Sequence, residues 1–157
     1  MPSRFAVLAG VVLLAAACAG GDVSQPTPSG PATTGCSLSL SDVQHTSGIT
    51  PLRRVDLAPL PSMQLRCSTV FANTSGGLVL AVSEADGGSA RLAQVRQGRA
   101  APGVTIQTLT GVGDEAFAAD GRFLAFRAGD RVFMLETGPE VLTLKQLKEL
   151  GQIEAHT

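Results

Sequence analysis

Between Met63 and Phe71 the chain alternates. Met63, Leu65, Cys67, Thr69 and Phe71 fall on one side, and Gln64, Arg66 and Ser68 on the other. A period of two predicts a half-buried strand with Cys67 on its inner face. The run Asn73 to Gly77 supplies turn residues, and Leu78, Leu80 and Val82 are then expected inward on a return strand ending near Ser83, which makes a hairpin. Leu52 to Leu57 lies among Pro51, Pro59 and Pro61 and reads as a short edge strand. Val104 to Leu109 alternates again. Three further strands are predicted near 115–119, 122–127 and 131–137. Asp120-Gly121 between the first two suits a type I′ turn, and Gly129-Asp130 between the last two suits a type II′ turn. These connections describe an antiparallel meander.

Helical spacing occurs in three places. Ser41-Asp42-Val43-Gln44 has the form of a capping box, with Gly48 as its stop. Ser89 opens a second helix to about Gln97, with Leu92 and Val95 inward and Gly98 and Pro102 ending it. Thr143-Leu144-Lys145-Gln146 is a second box, and Leu144, Leu147 and Leu150 then repeat at helical spacing. The predicted fold is α+β: an antiparallel sheet of about six or seven strands with two or three flanking helices. It forms a single globular domain over 36–157.

The N-terminal pattern is different. After Arg4, the run Phe5 to Ala17 holds no polar side chain. As a helix it would rise only about 20 Å, short of a hydrocarbon core of ~30 Å. A secretory leader over 1–17 is therefore expected, and no transmembrane span. The ending Leu14-Ala15-Ala16-Ala17-Cys18 resembles the bacterial lipobox, with Ala15 where that pattern prefers Leu. The resemblance implies a diacylglyceryl group on Cys18, acyl chains in the membrane and cleavage just before Cys18. Residues 18–35 are rich in Gly, Pro, Ser and Thr, lack apolar periodicity and read as a disordered tether. Of three cysteines, assigning Cys18 to lipid leaves Cys36 and Cys67 as a disulfide in an oxidising compartment. Closing that loop is worth roughly 3–4 kcal/mol in the chain-entropy account.

Charge narrows the function classes. The 157 residues carry 12 basic and 13 acidic side chains, net −1, which argues against a nucleic-acid surface. Trp and Tyr are absent, so stacking platforms for bases or sugars are not expected. Gly111-Val112-Gly113-Asp114-Glu115-Ala116 matches the relaxed dinucleotide fingerprint, but a strand rather than a helix is predicted next, and two acids there would repel phosphate. A tight glycine loop is the better reading. His45 and His156 are the two histidines and no Gly-x-Ser-x-Gly occurs. Arg53-Arg54 and the group Arg91, Arg96 and Arg99 read as solvated faces. No catalytic, cofactor or metal site is expected. Phe123, Phe126 and Phe133 are candidates either for a ligand pocket between sheet and helix or for plain core.

The lipobox Cys18, the Pro/Ser/Thr tether, Cys36-Ser37-Leu38 at the start of the domain, Cys67 in the first strands and the stretch Gly111 to Phe117 together resemble small actinobacterial lipoproteins of unassigned function. Many of those carry a further cysteine pair in the second half, which this chain lacks. The resemblance implies a non-enzymatic envelope protein with a sheet-and-helix fold. The expected function is a lipid-anchored binding module on the extracytoplasmic face of the cell membrane, taking an envelope protein or a small apolar ligand. The alternatives are an interaction or sensory accessory subunit of an envelope complex, and a cryptic hydrolase built around His45.

Overall fold

The computed structural model describes residues 35–58, 61–139 and 141–157. The predicted leader, Cys18 and the tether up to residue 34 lie outside them. The elements run α1 (Leu40–Ser47), β1 (Leu52–Leu57), a 3-10 turn (Pro61–Met63), β2 (Leu65–Asn73), β3 (Leu78–Asp86), α2 (Gly88–Arg99), β4 (Ile106–Leu109), β5 (Glu115–Ala119), β6 (Phe123–Ala128), β7 (Arg131–Thr137) and α3 (Leu144–Ala155). The strands form one seven-stranded sheet in the order β1-β2-β3-β7-β6-β5-β4, with every neighbouring pair antiparallel. The expected α+β architecture is present. Two meanders meet in the middle of the sheet, where β7 returns to pair with β3 after α2 has carried the chain to the far edge.

The alternation of each strand sorts its side chains onto two faces. On the first lie Cys67, Thr69 and Phe71 of β2, Leu80 and Val82 of β3, Phe133 and Leu135 of β7, and Leu124 and Phe126 of β6. The helices α1 and α3 cover this face with Val43, Leu147 and Leu150, all fully buried. On the second face, Phe117, Phe123, Ala125 and Val132 meet Leu92 of α2 in a separate apolar cluster. Each large apolar side chain removed from water contributes roughly 1.5–3 kcal/mol.

The helix ends follow local chemistry. Thr143 caps α3 with the expected box: its hydroxyl accepts from Gln146 N while the Gln146 side chain accepts from Thr143 N. At α1 the box is displaced by two residues. Ser39, not Ser41, is the N-cap, and Asp42 is its partner. Gly48 ends α1 in the left-handed conformation, as expected. The helix α2 has Gly87 as its N-cap, with no side-chain cap bond, and runs from Gly88 through Gly98 to Arg99. Gly98 is exposed and nothing packs where its Cβ would be, so its presence costs only its propensity, about 1 kcal/mol.

Three strand expectations are corrected. Met63 is not inward: it sits in the 3-10 turn and is 51% exposed, because Gln64 at φ 51° breaks the alternation before β2 begins. Leu78 is 39% exposed because the register slips between Phe71↔Leu80 and Ala72↔Leu78, which turns Val79 inward in its place. The fourth strand starts at Ile106 rather than Val104. Asp120 and Gly121 both have positive φ, at 51° and 68°, as a type I′ turn requires.

Candidate interaction surface

The disulfide between Cys36 and Cys67 joins the start of the domain to β2, with the two Cα atoms 5.3 Å apart. Both cysteines are buried. A polar network holds the same joint. The Cys36 N–H donates to Thr69 Oγ1 at 2.9 Å, and the Thr69 hydroxyl donates to Asp56 Oδ1 at 2.7 Å. Arg54 donates from Nε to Asp56 Oδ1 at 3.0 Å, from Nη1 to the Leu38 carbonyl and from Nη2 to the Cys36 carbonyl, the last two at 2.7 Å. Partial burial opposes ionisation of Asp56, but the Thr69 hydroxyl and the Arg54 guanidinium outweigh it and hold the carboxyl below the usual range. Segment 36–38 is thereby fastened to the first face of β1 and β2.

Beside the disulfide, Glu84 of β3 lies largely buried between two guanidinium groups, Arg66 at 3.2 Å and Arg131 at 3.5 Å. Its Oε2 is 3.8 Å from the Cys67 sulfur. These residues and Gly35 line an open cleft of about 400 Å³. Glu154 of α3 is fully buried nearby. Its Oε1 accepts from Ser37 N at 3.3 Å, and its Oε2 has no partner among the described residues. Burial raises the Glu154 pKa, Ser37 and Leu38 draw it partly back, and the Glu84 charge raises it further.

The stretch Gly111 to Phe117 is a packing device. Val112 is buried in the core. Gly113 has φ 56° and lies so close to the Arg127 carbonyl and the Phe126 ring that a Cβ would collide with both. Asp114 Oδ2 accepts from Gly129 N at 2.9 Å and from Arg127 Nη1 at 3.0 Å, tying this loop to the β6–β7 turn. Gln152 donates to the Gly111 carbonyl at 2.8 Å and ties it to α3. The backbone amide of Asp114 is spent on the Arg127 carbonyl at 2.7 Å. This arrangement explains the glycines without a phosphate.

The three phenylalanines singled out in the sequence part company. Phe126 and Phe133 stack with ring centroids 5.0 Å apart in the core of the first face, both fully buried. Phe123 faces the opposite side, under the Arg99 guanidinium at 3.8 Å. Arg99 also grips Glu136 with both Nη atoms, at 3.3 and 2.7 Å. Phe123 lines a cleft of about 150 Å³ with Arg99, Val104, Asp120, Arg122 and Glu136. Pockets for organic ligands usually run from about 300 Å³ upward and are mostly apolar. This cleft is smaller and ringed by charge. His45 is exposed on α1, while His156 is exposed beyond α3, where it lines an open cleft with Gly111, Asp130 and Arg131. Among the described residues no three His, Cys, Asp or Glu are grouped to hold a metal, and no helix is long and apolar enough to cross a membrane.

The surface that sequence reasoning missed is the half of the second face that no described helix covers. The helix α2 packs on β5, β6 and β7. From β7 the register rows run on across β3, β2 and β1: Glu136, Ala81, Val70 and Val55 in one row, Met134, Ser83, Ser68 and Leu57 in the next, half-buried until they reach β1. Val55 and Leu57 are each 43% exposed. Met63, also exposed, is tied to α2, its carbonyl accepting from Arg91 at 2.9 Å. Val55 and Leu57 are two of the five large apolar side chains exposed among the described residues. The signal was present in Val55, Leu57 and Val70, which alternate as a core strand would. No family model, no curated protein and no solved structure matches this chain.

Proposed function

We propose that this protein is a lipid-anchored binding module of the bacterial cell envelope, held by Cys18 on the extracytoplasmic face. Its task is to dock another protein on the open half of its sheet. One observation carries the reading: a strip of Val55, Leu57, Val70 and Ala81 that no described helix covers, with Val55 and Leu57 exposed, while Phe117, Phe123 and Val132 of the same face are buried with Leu92 of α2. Rimmed apolar surface of this kind marks interaction sites. The small-ligand version is the weaker one, since Phe126 and Phe133 fill the core and the Phe123 cleft is small and charged. The export and lipid parts rest on the lipobox resemblance and the Cys36–Cys67 bridge.

A photo-crosslinking residue at Val70, on the open face, is expected to capture one recurrent protein in intact cells. The same residue at Lys148 on α3 should not. A random spread of neighbours from Val70 would defeat the docking part. Mass spectrometry of the mature chain tests the anchor separately, and an unmodified thiol at Cys18 would overturn it.

A further inference from the structure

Strand β1 has one hydrogen-bonded neighbour, β2, and no strand pairs with its other edge among the described residues. Such an edge is a template for another strand. Natural edges are commonly blunted with charged side chains, and β1 carries Arg53, Arg54 and Asp56. Here the charges facing the first side of the sheet are Arg54 and Asp56, opposite in sign and two residues apart.

We infer that β1 pairs antiparallel with β1 of a second copy, about a two-fold axis through Val55. This concerns the edge of the sheet, although Val55 and Leu57 also belong to the strip on its face. A two-fold that keeps both copies' faces on the same side allows only registers in which residues of like face meet. Centring on Arg54 sets Arg54 against Arg54. Centring on Asp56 sets Asp56 against Asp56. Like charges directly opposite are destabilising. Centring on Val55 sets Arg54 against the second copy's Asp56 twice over, Val55 against Val55, and the Arg53 stem against Leu57. This register covers two exposed apolar side chains and sets opposite rather than like charges side by side at both ends, while Arg54 keeps its bonds to Asp56, Leu38 and Cys36 of its own chain. It also uses five of the six residues of β1.

Cysteine placement in the full-length protein in its membrane tests the register. Under mild oxidation, Val55→Cys is expected to give a homodimer on a non-reducing gel well above the wild-type background. Arg53→Cys and Leu57→Cys should crosslink when co-expressed but not separately. A second test does not depend on thiols. Val55→Lys and Val55→Asp, purified separately in detergent, are each expected to self-associate at least tenfold more weakly than wild type by analytical ultracentrifugation. Mixed, they should recover the dimer. Both substitutions sit on an exposed side chain and leave the core alone. Homotypic crosslinking that peaks at position 54 or 56 would overturn the register. A wild type that stays monomeric, or a Val55→Lys chain that associates like wild type, would overturn the inference. So would capture from position 55 of a different protein alone. Crosslinking from Val70, which lies on β2 outside the β1 seam, tests the docking reading separately.

Discussion

At the β4–β7 end of the sheet, side chains are buried on both faces: Phe117 and Phe123 beneath α2, Leu124, Phe126 and Phe133 on the side of α3. At the β1–β3 end, Phe71, Leu80 and Val82 are buried on one face, while Val55 and Leu57 stand in the open on the other. The first end is held by packed apolar volume. The second has half that resource and adds covalent and polar fastenings: the Cys36–Cys67 bridge and the Arg54, Asp56 and Thr69 network. A sheet end that keeps one face free must replace the missing layer with something, and here the replacement lies wholly on the opposite face. The open surface is therefore a product of how the fold is stabilised.

That contrast can be attacked at its strongest point first. Phe126→Ala, in the doubly covered end, is expected to cost about 3–5 kcal/mol in denaturant unfolding, because it leaves a cavity against Phe133 and Gly151. Replacing Cys36 and Cys67 together by Ser should cost about 3–4 kcal/mol. The two variants should differ in kind. Hydrogen exchange in the cysteine variant is expected to accelerate in β1 and β2 while β5 to β7 stay protected. Uniform acceleration across the sheet would mean the two ends are not stabilised differently.

Much of this fold could be read in the sequence, and the misreadings have local causes. The meander β5–β7 was legible because Asp120-Gly121 and Gly129-Asp130 leave few other turns open. Cysteine parity paired Cys36 with Cys67. Periodicity failed at Met63 and Leu78, since one residue at positive φ or one slipped register turns a side chain to the other face with no mark in the pattern. The open surface was invisible for a deeper reason. Alternation says that a strand has an apolar face, but only tertiary placement of α2 decides whether that face is covered. Nor does the sequence show that Phe123 and Phe126, three residues apart, serve different layers until strand boundaries are known.

A smaller effect tests how the joint next to the bridge is tuned. Glu154 is fully buried beside Glu84, and its folded pKa is raised, first by burial. A raised carboxyl binds its proton more tightly folded than unfolded. Its contribution is therefore favourable below the ordinary glutamate range and is lost as pH rises through the folded value. Each unit of displacement corresponds to about 1.4 kcal/mol. Glu154→Gln is expected to be more stable than wild type at pH 7 and nearly equal to it at pH 4, measured by urea midpoints at both values. An advantage that does not shrink on acidification would show that the carboxyl is ionised in its buried site without penalty.

The smallest expected effect sharpens the contrast most. Leu57→Ser removes a large apolar side chain from a strand, a change that in the covered end would cost several kcal/mol. At 43% exposure on an unlayered face, Leu57 leaves little cavity behind. The expected loss is under about 0.5 kcal/mol, typical of surface substitutions. The measurement is chemical unfolding at low protein concentration, compared with Phe126→Ala in the same buffer. A loss near that of Phe126→Ala would mean something in the protein covers this face. A near-neutral result with weakened capture from Val70 in cells would separate the two roles of one side chain: Leu57 contributes little to holding the fold together and much to what the open half of the sheet meets outside it.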